Sequence, residues 1–311
     1  MGIRSTAQFN VPLTSYAYGI MQDSLASKRL ANLLCPIVQV AAATGTYKKY
    51  DDRNSFLVED DARALGGPRI RVKHAATDGT YAVKPRGREI GLDDFEVDLA
   101  GGLISSETQA QLKIKTLLSG KATAYAKRVA DFVFANLTAV ADRGVWSNPD
   151  IDPIDQIDEQ LDALSLDVAS TENINLIMSV SEWRALRNNA NVKKRLGLSG
   201  NMSLTREKFL DALLFPVQLE ISGVASTGTK RGQTTVTKAR VMSGYCVLAY
   251  TSPNATTDDA SAFKCFSTSS VLVDGVKTYR EEQSNSEIHS MDWNEDIQKT
   301  GAACARLLAI S

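Results

Sequence analysis

The chain has 311 residues, 43% of them hydrophobic and 23% charged, with 35 Lys+Arg against 36 Asp+Glu and a net charge of −1. That length supports one large or two ordinary domains with their own cores and argues against disorder or a disulfide-stapled miniature. Near-neutrality supplies no cationic excess for a nucleic-acid backbone, which disfavours sequence-specific DNA binding as the main task. Only two histidines, His74 and His289, are present, so little imidazole is on hand for zinc sites or acid–base triads. Cys35, Cys246, Cys265 and Cys304 show no CxxC spacing; Cys35, Cys246 and Cys304 sit in apolar runs and read as small buried hydrophobes in a reducing compartment. The N-terminus lacks a signal-peptide core, and no apolar run approaches the ~20 residues of a membrane span, so a soluble intracellular protein is expected.

Residues 1–34 are mildly basic with scattered apolar side chains, as in a short helix or an arm lying on a neighbour. Residues 37–61 read as extended, with alternation in VQVAA and TYKKY before the acidic turn at 59–61. RIRVKHA and TYAVKPRGREI then suggest two strands of a hairpin around Thr77-Asp78-Gly79. So little apolar surface forms no core alone, so this hairpin must be covered or must project. Its charges are segregated. Residues 63–88 hold seven bases (Arg63, Arg69, Arg71, Lys73, Lys84, Arg86, Arg88) and Asp78, a net of +6, whereas residues 89–98 hold five acids (Glu89, Asp93, Asp94, Glu96, Asp98), a net of −5. Two solvated faces would explain this; so would a strip that meets the opposite charge on a second copy. The candidate contacts are Arg69, Arg71, Lys73, Lys84, Arg86, Arg88, Asp93, Asp94 and Glu96.

The strongest helical periodicity runs from Ser106 to Val140 through Leu112, Ile114, Leu118, Ala122, Tyr125, Val129, Phe132, Val133 and Leu137. Ser106 with Gln109 suggests a capping box, Arg143-Gly144 a stop, and Gly120 a place to bend. Asp152-Pro153 opens a second helix with Ile154, Ile157, Leu161 and Leu164 on one face. A buried strand over 173–180 precedes a helix capped by Ser181, and Thr205 caps another, with Leu204 and Phe209 at staple spacing. Strands are expected at 216–224 and 245–252, with a polar loop at 225–237 between them. Long strands follow through 262–298, and the apolar piece ACARLLAI closes the chain. The order is mixed α+β.

No catalytic, cofactor or metal site emerges. Asp150, Asp152, Asp155 and Asp158 lack the turn glycine of a calcium loop and suit the first turn of a helix instead. GxxxxGK[ST], GxGxxG and GxSxG patterns are missing. A second basic run over 182–208 has seven bases against Glu182 and Glu207, a net of +5, without interleaved aromatics for base stacking. It reads as a solvated face or as a contact to acids such as those of 150–162.

A collinear series of segments carries a resemblance: Leu30-Ala31-Asn32, Cys35-Pro36-Ile37-Val38-Gln39-Val40, GTYKKYDDRNSF (45–56), the Arg63/Gly66-Gly67 region and REIGLDD (88–94). Past the long helix come SNPDIDPIDQIDEQLDAL, NINLIMSVSEWRALRNNANVKKRL and LTREKFLDALLFPVQLEISGVA. Over about 25–311 the chain resembles the major capsid proteins of tailed bacteriophages with the Hong Kong 97-type fold. The resemblance implies an N-terminal arm (1–50), an extended loop forming a projecting hairpin (51–103), a peripheral domain with a long spine helix (104–146 and 262–300) and an axial domain (147–261 and 301–311). It implies a non-enzymatic subunit that assembles with itself as pentamers and hexamers into an icosahedral head. The partners it implies are a separate scaffolding protein, a portal and a decoration protein, with weak non-specific contact to packaged double-stranded DNA and no membrane. Assembly in the host cytoplasm and a final place in the virion follow from the same likeness. The alternatives are the shell of a cellular encapsulin-like nanocompartment and, further off, an α+β enzyme with a carboxylate site near 150–162.

Overall fold

The computed structural model describes residues 7–22, 26–49, 58, 62, 65, 77–99, 104–140, 144–198, 202–229, 233–269, 273 and 275–310. It is an α+β structure with two main sheets tied together by one long helix. The first sheet is organised around the strand Ser286–Lys299. On one side this strand pairs antiparallel with Lys84–Asp93, in unbroken register from Ser286↔Asp93 to Glu295↔Lys84. On the other side it pairs first with Val276–Glu281 and then with Phe263–Ser267. Those two strands extend the sheet to Gln8–Phe9 and to Ile37–Gln39.

The second sheet has the order Ala139–Val140, Ala305–Ala309, Tyr245–Tyr250, Ile174–Ser179 and Gln218–Ser222. Ile174–Ser179 is buried at every position, as a strand covered on both faces must be. Leu307 and Leu308 pair with Ala139 and Val140, which follow the long helix, so the strand Ala305–Ala309 lies between them and Tyr245–Tyr250.

The helix Ser106–Asn136 spans both regions, about 46 Å at 1.5 Å per residue. Its first half buries Ile114, Leu117 and Leu118 with Leu13, Ala17 and Met21 of the helix Val11–Gln22 and with Met291. Its second half buries Tyr125, Val129 and Val133 in the larger core, which includes Leu30 and Leu34, the helix Pro153–Val168 and the second sheet. A smaller cluster lies under the hairpin-like pair Thr44–Lys48 and Asp78–Ala82, where Tyr47 and Tyr81 stack on Phe266 at ring distances of 5.1 and 4.7 Å. Each tyrosine lies across the glycine opposite it, Tyr81 over Gly45 and Tyr47 over Gly79, and leaves no room for a Cβ there.

Several boundaries differ from the sequence reading. Asp78 and Gly79 belong to a strand paired with 44–48 rather than to a turn, and the remainder of TYAVKPRGREI pairs with the distant 286–295. The proposed partner strand RIRVKHA lies outside the described residues. The long helix is capped by Ser105, whose hydroxyl accepts from the Thr108 amide at 3.2 Å, and it stops at Asn136 because Ala139 and Val140 are drawn into the second sheet. Leu112 is 53% exposed and leaves the buried stripe. Ser179, not Ser181, caps the helix Val180–Asn188. Asp152 and Thr205 cap as expected, and all four cysteines are buried.

Asn189 stitches the 146–151 turn to the helix Ala190–Arg195. Its Nδ2 donates to the carbonyls of Trp146, Asn148 and Ile151 at 2.9, 3.0 and 3.1 Å, while its Oδ1 accepts from the amides of Asn191 and Val192. Asn189→Ala is expected to cost about 2–3 kcal/mol in urea denaturation of the unassembled chain, through carbonyls left without donors. Asn189→Asp is expected to cost more, because a carboxylate set against three carbonyls adds repulsion; an equal or smaller loss contradicts the assignment.

Candidate assembly surface

Pairing with 286–295 decides where the charged segment 84–98 points. Side chains alternate along a strand, and in register with the long strand Arg86, Arg88 and Ile90 stand opposite Trp293, Met291 and His289 on the face covered by the long helix. Glu295 lies at the centre of this arrangement with its side chain only 1% exposed. It accepts from Arg86 Nε at 2.8 Å and from Arg128 Nε at 2.7 Å, and Trp293 Nε1 donates to its other oxygen at 3.3 Å. Two turns of helix closer to the N-terminus, the buried Lys121 ammonium sits 4.7 Å from the Trp293 ring centre, a cation–π contact. Arg88 lies over Gly120 of an unbroken helix: a Cβ there would come within 3.1 Å of the Arg88 guanidinium. Gly120 therefore gives room to an arginine rather than a bend.

The acidic half folds differently. The Asp93 carboxylate accepts from the Phe95 amide at 2.8 Å at the start of the short helix Asp94–Leu99. Asp94 takes a two-pronged ion pair from Arg280, whose guanidinium hydrogen bond holds the carboxyl below its usual pKa range. Lys113 reaches Glu96 at 2.5 Å and lowers that carboxyl likewise. Of the predicted contact residues, then, Arg86, Asp94 and Glu96 form ion pairs inside the chain, while Lys84, Arg88 and Asp93 are exposed, Asp93 with its carboxylate on the Phe95 amide. Arg69, Arg71 and Lys73 lie outside the described residues, as does His74.

Three residues of this surface escaped the sequence reading. Glu295 and Lys121 carry charges in positions that composition assigns to solvent, and Arg128 falls in a basic pair with Lys127. The usable signal was spacing: Lys121 falls between Leu118 and Ala122 in the buried stripe, and Trp293 and Glu295 share one strand face.

His289, on the same face, is 2% exposed and shares a cavity of about 310 Å³ with Asn10, Leu13, Glu107 and Glu287. Its Nδ1 lies 3.1 Å from the Thr278 hydroxyl, which also accepts from Asn10 Nδ2 at 3.4 Å. Among the described residues no cluster of His, Cys, Asp and Glu is placed to hold a metal ion, and no described helix is long and apolar enough to cross a membrane. Two of the acids near 150–162 are engaged structurally: Arg195 bridges Asp152 at 3.4 Å and Asp158 at 3.1 Å, and the Leu214 amide donates to Asp158. This is the intrachain form of the contact foreseen between the second basic run and the acidic helix start.

No family model matches the sequence, and no curated protein matches it. Solved structures do. A phage-related protein from Bordetella bronchiseptica superposes with a TM-score of 0.73 at 16% identity over 98% of each chain. The capsid of cyanophage P-SCSP1u gives 0.55 at 9% identity over 89% of this chain and 86% of that one. A virus-like particle from Pyrococcus furiosus gives 0.52 at 11% identity over 96% and 97%. The chain therefore has, along nearly its whole length, the α+β fold found in phage capsid proteins.

Two outcomes follow. Glu295→Ala leaves Arg86 and Arg128 facing each other without a counter-ion and is expected to cost about 3 kcal/mol, at the low end for a broken buried pair because both arginines are partly exposed. A thermal midpoint unchanged from wild type would contradict the central place given to this carboxylate. Burial holds the His289 pKa below its ordinary value, with Glu287 opposing weakly. Its contribution is then fully present above about pH 6.5 and is lost as pH falls through the lowered folded pKa. The His289→Gln variant should lose less stability than wild type between about pH 6.5 and pH 5; parallel stability curves contradict this.

Proposed function

We propose that this chain is the major capsid protein of a tailed phage, of the Hong Kong 97-type, a structural subunit that catalyses no reaction and assembles into an icosahedral head around double-stranded DNA. The observation that supports the reading is the fold shared with a phage-related protein over 98% of the chain and with a cyanophage capsid over 89% of it. The surface chemistry agrees with it. Acids that an enzyme would keep poised in a cleft are spent here on caps and ion pairs. The exposed charges are instead sorted by sign along one element, as suits contacts between identical subunits, where charge fixes register and partner more than it adds affinity.

In this reading residues 1–50 are the arm and 51–103 the loop that reaches a neighbour. The root of that loop is fixed by 78–82 against 44–48 and by 84–93 against 286–295. Residues 104–146 with 262–300 form the peripheral domain, and 147–261 with 301–311 the axial domain that gathers into pentamers and hexamers. Heterologous contacts of one kind close rings or continue into a shell according to the rotation between copies, so a single sequence serves both. Lys84, Arg88 and Asp93, together with Arg69, Arg71 and Lys73, are the contact residues of this proposal. A separate scaffolding protein, a portal and a decoration protein are the further partners, contact with DNA is weak and salt-sensitive, and the mature location is the virion after assembly in the host cytoplasm.

Negative-stain electron microscopy of the purified chain across salt and crowding conditions is expected to show rings and closed shells. Monomers under every condition would contradict the proposal. Shells from the native source that hold protein cargo and no DNA would favour the nanocompartment instead.

A further inference from the structure

A cavity of about 310 Å³ opens where the starts of the helices Val11–Gln22 and Ser106–Asn136 meet the start of the strand Ser286–Lys299. The exposed Glu107 and Glu287 form its rim, and His289, only 2% exposed, forms its floor. Asn10 and Ser106 add two oxygen-bearing side chains to the wall, and Leu13 and Ala110 an apolar part. Among the described residues no Lys or Arg lines it. Arg280, which stands opposite Glu287 in the sheet, is taken by Asp94. Glu107 sits in the first turn of its helix, where the dipole keeps a carboxylate ionised.

The cavity is therefore rich in acceptors and holds no cation of its own, and its floor is incomplete. His289 Nδ1 lies 3.1 Å from the hydroxyl of Thr278, which is not on the cavity wall and which also accepts from Asn10 Nδ2 at 3.4 Å. The other ring nitrogen, Nε2, is buried and has no hydrogen-bond partner among the described residues. Buried polar atoms are nearly always paired, so an unpaired one on a cavity floor points to an occupant. With Nδ1–H donating to Thr278, Nε2 carries a lone pair and calls for a donor. Burial holds the ring below its ordinary pKa, Glu287 opposing weakly, which leaves that lone pair free near neutral pH.

We infer that this cavity binds a small organic ammonium ion, a protonated primary alkylamine. The N–H groups of one charged centre are met by Glu107, Glu287 and the His289 nitrogen through charge-assisted hydrogen bonds, and a short alkyl chain lies against Leu13 and Ala110. The two rim carboxylates turn away an anion. A divalent metal ion needs its ligands drawn in to about 2.0–2.6 Å, and among the described residues no cluster of His, Cys, Asp and Glu is placed to do so. An ammonium ion is held at the longer distances of hydrogen bonds, about 2.7–3.2 Å. The site goes beyond the capsid reading and does not depend on it. Its occupant would tie the first helix, whose Leu13 amide is capped by Asn10 Oδ1 at 3.1 Å, to the long helix and the long strand.

Titration calorimetry of the purified full chain with n-butylammonium chloride at low salt tests this, with n-butanol and sodium butyrate as probes of equal chain length that lack the positive charge. The expected result is saturation near one equivalent with a Kd on the order of 1 mM, and no binding of butanol or butyrate. Glu107→Gln and Glu287→Gln, both on the exposed rim, should each weaken binding by about tenfold. Asp131→Asn, an exposed carboxylate farther along the same helix, should leave it unchanged. The charged groups facing His289 are Glu287 on its own strand, Arg280 and Arg88 on the two flanking strands and Glu107 on the long helix, while the helix Val11–Gln22 brings none. Of these and His289 itself, the imidazole is the group that titrates between about pH 7 and pH 5.5, so binding should weaken over that range and His289→Gln should flatten the dependence. Equal responses to n-butylammonium and n-butanol overturn the inference. So does binding that both rim variants leave unchanged, or saturation by calcium or zinc chloride with none by n-butylammonium.

Discussion

Everything in the described fold hangs on one long strand and the helix laid along it. Residues 286–295 hold Lys84–Asp93 on one side and Val276–Glu281 on the other, and the helix Ser106–Asn136 covers the face that carries His289, Met291, Trp293 and Glu295. A buried carboxylate is costly unless its charge and lone pairs are met. Here Glu295 is met by Arg86 from the neighbouring strand, Arg128 from the helix and Trp293 from its own strand. Three elements are thereby fixed to one point. Apolar packing of Ile114 and Leu118 against Met291 resists a shift of the helix along the sheet, and a charge with two specific partners adds a directional constraint on its register.

That constraint explains how a chain with a near-neutral total presents a strongly polarised surface. Fixing 84–93 in the sheet carries the acids of 93–98 to one end, where Arg280 and Lys113 answer two of them. The same anchoring limits what the preceding segment can do. Its root is tied by Tyr47 and Tyr81 stacked on Phe266, and the strands Thr44–Lys48 and Asp78–Ala82 on either side of that stretch pair with each other.

The local features were legible in the sequence. Asp152-Pro153 as a helix start, Thr205 as a cap and the stripe Ile154, Ile157, Leu161, Leu164 depend on neighbours a few residues away, and the structure holds them as read. Non-local pairing was not legible. Nothing near residue 84 announces that its partner lies some 200 residues later, and the local pattern there is that of a hairpin. The long helix was extended to Val140 because Leu137 and Val140 keep the apolar period, while their actual position is set by Leu307 and Leu308. Buried charge was the other blind spot. Glu295, Lys121 and Lys264 look like surface residues by type, and only the three-dimensional pairing, such as Lys264 with Asp259 at 2.7 Å, shows what neutralises them.

We propose that this chain's principal partner is itself, through directional contacts that close into rings. Native mass spectrometry of the purified full chain, sprayed from solutions of rising concentration, measures this most directly. The account predicts discrete species of five and six copies that persist when monomer is diluted away and that weaken as salt screens the charged contacts. A single monomeric species at every concentration and salt would contradict it.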